Sequence, residues 1–95
     1  MPKLENITHK LGSAIKISTI LSIDTATSCL ITIEDPAGTD IVEDIAMTKE
    51  MNKIYSYVYQ SSSTGTSGDY TVTIEASSGG YTSVKQDIFT MEKQD

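Results

Sequence analysis

The strongest constraint on this chain comes from two neighbouring segments, Tyr55-Ser56-Tyr57-Val58-Tyr59 and Gly68-Asp69-Tyr70-Thr71-Val72-Thr73-Ile74-Glu75-Ala76. In both, side-chain character alternates with a period of two. Successive side chains of an extended backbone point to opposite faces, so this period belongs to strands with two differently solvated faces. Residues 61–67 between them contain only Ser, Thr and Gly, a long polar loop with nothing to offer a core. Two consecutive strands are therefore predicted.

The rest of the chain follows the same pattern. Ile15 and Ile17 alternate with Lys16 and Ser18, and Ile20, Leu21 and Ile23 come after. The adjacent apolar pair Ile20-Leu21 predicts a bulge, or a strand that changes sheets. Residues 24–27 read as a turn. In residues 28–34, Cys29, Ile31 and Ile33 share one face and Leu30, Thr32 and Glu34 the other. Asp35-Pro36-Ala37-Gly38 ends that strand with tight-turn chemistry: proline presets φ, and glycine accepts a positive one. A short strand with Ile41 and Val42 is expected over 39–45. Residues 44–51 fit either a strand or one helical turn carrying Met47 and Met51. Strands over 53–60, 69–77 and 81–91 complete seven candidate regions, and Ser77-Ser78-Gly79-Gly80 is the best hairpin signal. Tyr70, Val72, Ile74 and Ala76 are expected to face inward. Val84, Phe89 and Met91 should return beside them, with a bulge between Val84 and Phe89 to reconcile their parity.

Ninety-five residues make one domain, read as spanning 13–95 behind a polar N-terminal arm, 1–12, in which Leu4, Ile7 and Leu11 have helical spacing. A chain this short buries about 60–65% of its unfolded surface, enough for one modest core and too little for a deep substrate cavity as well. The net charge is −6 and all seven basic residues are scattered lysines, so nucleic acid is not an expected partner. Cys29 is the single cysteine, which excludes an internal disulfide, and its place in a strand predicts a small buried side chain. No run of about 18 apolar residues is present, so direct membrane insertion is not expected. With no charged-then-apolar leader, the chain is expected to act inside the cell, to leave it as part of an assembly, or to have lost its leader.

Seven short strands with turns every 8–12 residues predict an all-β sandwich. The sequence of motifs is Asp35-Pro36-x-Gly38, Tyr55-x-Tyr57, Gly68-x-Tyr70-x-Val72-x-Ile74-x-Ala76 and Phe89. This order resembles the immunoglobulin-like domains of bacterial and archaeal surface proteins and of phage or virus structural proteins. The resemblance covers roughly residues 14–91 and implies an immunoglobulin-like β-sandwich of about seven antiparallel strands. It also implies that Tyr70 makes a corner hydrogen bond to upstream backbone. Val72 stands where antibody domains carry a cysteine, and the chain has no tryptophan, so it departs from the antibody type.

Few residues carry site chemistry. His9 is the only histidine, without partners for zinc or for general-base work. Asp35, Asp40, Glu43 and Asp44 flank the Pro-Gly turn and are weak calcium candidates; solvated turn residues are the plainer reading. Tyr55, Tyr57 and Tyr59 share one strand face. They are either core or, if that face is exposed, a protein or glycan contact surface; the opposite face, Ile54, Ser56 and Val58, is also partly apolar, so the strand is open to cover on both faces, by the opposing sheet on one and by a neighbouring subunit on the other. No catalytic residue, cofactor or resident metal is expected. The expected role is a non-enzymatic structural or interaction module with protein partners or self-assembly, a subunit of a phage, virus-like or cell-surface particle. The alternative is a ligand-binding module that recognises glycan or calcium through its end loops.

Overall fold

The computed structural model describes residues 8–22 and 26–93. Eight strands form two sheets: β1 (Thr8–Lys10), β2 (Ala14–Ile20), β3 (Ser28–Glu34), β4 (Asp40–Ala46), β5 (Thr48–Met51), β6 (Ile54–Gln60), β7 (Gly68–Ser78) and β8 (Tyr81–Glu92). The five-stranded sheet has the order β1-β8-β7-β3-β4, and the three-stranded sheet has β2-β6-β5. The two pack face to face as an all-β sandwich, with the core drawn from the alternate residues of each inner face.

The inward stripe read from sequence is the stripe observed. Tyr70, Val72, Ile74 and Ala76 are buried, and β3 sets Cys29, Ile31 and Ile33 beside them in register. Gly79 and Gly80 form the β7–β8 turn, both with positive φ, as a two-residue hairpin of the primed kind requires. From that turn the hairpin runs without interruption from Ser78↔Tyr81 to Gly68↔Met91. The expected bulge between Val84 and Phe89 is therefore absent. An unbroken register preserves parity, so Phe89 and Met91 turn inward while Val84 lies outside, opposite Glu75.

Other expectations are corrected. Residues 48–51 form β5, an edge strand paired with β6, and not a helical turn. Met47 is buried just before it, its amide donating to the Cys29 carbonyl, while Met51 is exposed. The β2–β6 register is continuous, so Ile20-Leu21 is not a bulge: β2 ends at Ile20, which points outward, and Leu21 is buried with its amide on the Lys53 carbonyl. Ile23 lies outside the described residues, as do Leu4 and Ile7. Part of the N-terminal segment belongs to the sandwich. β1 pairs in parallel with the end of β8, and Leu11 is among the most deeply buried side chains. Ser61, at the start of the polar loop, is also buried. Its hydroxyl donates to the Ser13 carbonyl and accepts from the Gly12 amide.

Candidate interaction surface

The tyrosine face of β6 turns toward the core. Tyr55 is buried, and Tyr57 and Tyr59 are half-buried against the core cluster, because Ile15, Ile17 and Thr19 of β2 pair with them on the inner face. Tyr59 joins an aromatic group centred on Phe89, which stacks on Tyr70 at 5.3 Å between ring centroids and receives His9 edge-on at 6.4 Å. Burial, and after it the neighbouring tyrosines and Asp35, push the Tyr59 hydroxyl pKa up. Burial and Asp35 do the same to Tyr70, partly offset by its hydrogen bond to backbone. That bond is the corner contact: Tyr70 Oη donates to the Thr66 carbonyl at 2.5 Å.

The four acidic turn residues do not converge. The Asp35 carboxylate accepts from the amides of Ala37 and Thr39 and so closes its own turn. Asp44 sits at a β4 irregularity with positive φ, and its amide and carboxylate both meet the Thr32 hydroxyl across the sheet. Among the described residues, no three His, Cys, Asp or Glu side chains are grouped so as to hold a metal ion. Burial pushes the Cys29 thiol pKa up, and the thiol lies 3.7 Å from Met47 Sδ, an apolar setting with little thiolate character. An open groove of about 240 Å³ runs between β2 and β8, lined by His9, Ile15, Ile17, Asp87 and Phe89 among others. The described residues contain no helix long and apolar enough to cross a membrane.

Beyond the partly apolar Ile54, Ser56 and Val58 face of β6, what the sequence reading missed lies on the two outer faces. Ile20, Met51 and Val58 on the three-stranded sheet, with Val84 and Ile88 on the five-stranded sheet, are between 58% and 71% exposed. Register groups them. Ile20, Ile54 and Met51 form one cross-strand row, with Lys16 opposite Val58 farther along the same face. On the other sheet, Leu30, Glu75 and Val84 form a row, and Glu34, Thr71 and Ile88 another. Adjacent apolar pairs such as Ile20-Leu21 and Ile88-Phe89 leave open which member turns inward, and only the pairing register decides it.

Charge divides between the sheets. Within the described strands, the five-stranded sheet carries eight carboxylates against two lysines, and the three-stranded sheet carries one carboxylate, Glu50, against two lysines, Lys16 and Lys49. Glu50 accepts from the Ser56 hydroxyl, while Glu34 and Asp40 stand directly opposite each other as a like-charge pair. No protein-family model matches this chain, and no curated protein matches it.

Proposed function

We propose that this chain is a non-enzymatic, immunoglobulin-like structural or interaction module that serves as a subunit of a larger assembly, of the phage, virus-like or cell-surface kind. The immunoglobulin-like reading is supported by strand order. The series β2-β6-β5 facing β8-β7-β3-β4 corresponds to strands B, E, D facing G, F, C, C′ of that architecture. Tyr70 bonds upstream backbone from the start of the strand in the F position, as a tyrosine corner does. The subunit reading is carried by one observation: large apolar side chains stand exposed on both outer faces of a domain that already has a filled core. Grouped apolar exposure rimmed by polar residues marks contact surfaces.

Sedimentation velocity over a wide concentration range, combined with cross-linking pull-downs from the source cells, tests the reading. Self-association or one stoichiometric partner supports it. A strict monomer with no partner overturns it, and calcium or glycan binding by that monomer in calorimetry would favour a ligand-binding module instead.

A further inference from the structure

We infer that the open groove between β2 and β8 is a strand-accepting slot, and that its occupant is this chain's own segment 1–7, paired with β2 as a further strand of the smaller sheet. The slot is separate from the exposed outer faces that carry the subunit reading, so either can fail alone.

The slot has an unused backbone edge. The Ser61 amide donates to the Ser13 carbonyl and the Leu21 amide to the Lys53 carbonyl, so in the continuous β2–β6 ladder the odd-numbered residues of β2 bond β6. Its even-numbered residues, Lys16 and Ser18 among them, direct their amides and carbonyls the other way, where, among the described residues, nothing pairs with them. That direction is into the slot. Lys16 and Ser18 line it although both side chains belong to the outer face, and Ile17 and Phe89 supply an apolar floor. With no proline and no register shift, β2 is a regular edge of the kind that takes up an extended segment.

Three observations pick the occupant. The first is place and direction. β1 begins at Thr8, and His9 lines the slot. The Ser13 amide donates to the Lys10 carbonyl across Gly12, whose φ is +98°, so the chain reverses between β1 and β2 and approaches Thr8 running opposite to β2. Extended at about 3.3 Å per residue, segment 1–7 reaches about 23 Å, the length of the seven-residue β2. The second is that β8 is closed to it. Carrying the parallel β1–β8 pairing back beyond Thr8 needs the Ile88 amide, which the Asp87 carboxylate holds at 2.9 Å. The third is side-chain parity. In β1, His9 is half-buried beside inward Met91 while Thr8 and Lys10 are exposed. A strand that steps from one sheet of a sandwich to the other without rotating keeps each side chain's direction, so the residues that look inward change parity. Leu4 then faces the floor of the slot, and Lys3 and Glu5 face solvent, with Glu5 on the same outer face as Lys16.

The test is amide hydrogen exchange, read residue by residue by NMR on the full chain. The Lys16 and Ser18 amides should exchange at least about tenfold more slowly than exposed amides. Leu4→Ser, which takes the apolar side chain off the floor, should abolish most of that protection. Lys3→Ser, on the solvent side, should leave it in place. The Ile17 and Thr19 amides, bonded to β6, should be unchanged in both variants and so report an intact sandwich.

Lys16 and Ser18 amides that exchange as exposed groups in the full chain would overturn the proposal. Equal losses in the two variants would overturn the inward placement of Leu4. Protection that grows with protein concentration would assign the slot to the segment of a second copy, and would overturn the chain's own segment as its occupant.

Discussion

Gly68 opens β7 against the ring of Pro36: a Cβ at position 68 would lie 3.0 Å from Pro36 Cγ, and the backbone there has φ of +132°. The two turn motifs read separately from sequence are thus one packed corner of the sandwich. A side chain at 68 meets both a proline ring with little room to yield and a backbone region that L-residues avoid. Gly68→Ala is expected to lower stability by about 1–3 kcal/mol, measured by urea unfolding. A change within error would show that the corner is not constrained in this way.

Tyr70 makes two separable contributions, the ring stack on Phe89 and the hydroxyl bond to the Thr66 carbonyl. Tyr70→Phe keeps the first and deletes the second. Thr66 is exposed, so water can satisfy its carbonyl, and the loss should be about 0.5–1.5 kcal/mol. Faster amide exchange at the end of the polar loop should accompany it, because that bond ties the loop to β7. Unchanged exchange would place the loop's order elsewhere.

How much of this was legible follows from where the pattern is redundant. β3 was readable to the residue and β7 to within one residue at either end, because a slip by one would turn Cys29, Ile31 and Ile33 of the one, or Tyr70, Val72, Ile74 and Ala76 of the other, to solvent. β8 was not readable in the same way. Lys85 and Asp87 have the inward parity and Val84 and Ile88 the outward one, the reverse of what hydrophobicity implies. β5 was obscured because Thr48–Met51 is an exposed edge strand with no buried face to impose a period. The tyrosine face was legible as a choice between core and surface, and pairing with Ile15 and Ile17 turned it inward. The outer apolar rows were legible only in part: Ile54 and Val58 share a readable strand face, but Ile20 and Leu30 join their rows from strands distant in sequence.

Stability should fall in alkali. Tyr59 and Tyr70 have hydroxyl pKa values raised above 10.0, and Cys29 a thiol pKa raised above 9.0, each chiefly by burial. Above those ordinary values the unfolded chain releases protons that the folded one retains, so the folded state binds more protons and loses stability as pH rises. Below pH 9 this contribution is fully present. Thermal unfolding from pH 8.5 to 11.5 should show a steepening decline beyond about pH 10, and Tyr59→Phe should flatten part of it. A variant as steep as the wild type would remove Tyr59 from the account.

Thr19 is buried on the inner face of β2 opposite Tyr55, and among the described residues its hydroxyl has no hydrogen-bond partner. An unsatisfied hydroxyl in a core costs free energy that a methyl group of similar shape does not. Valine also suits a strand. Thr19→Val should therefore stabilise the fold by about 1 kcal/mol, raising the urea midpoint at constant slope. A loss of stability would mean that the hydroxyl finds a partner in solution.

Lys85 and Asp87 face inward from β8, where they are exposed because the smaller sheet does not cover that stretch. Among the described residues, β1 pairs with β8 only at Thr90, Met91 and Glu92, so the preceding length of β8 is a free edge. Glu92 directs its carbonyl to the Leu11 amide on that side, and Ile88, of the same parity, directs its own amide there too. The Asp87 carboxylate takes that amide at 2.9 Å, occupying a group that another strand would need. Inward-pointing charges on an edge strand are a common guard against edge-to-edge pairing. The double variant Lys85→Val/Asp87→Val removes both the charges and the cap and leaves an apolar edge. It should aggregate several-fold faster than wild type, with thioflavin binding. Aggregation at the wild-type rate would show that the edge is protected by something other than these two charges.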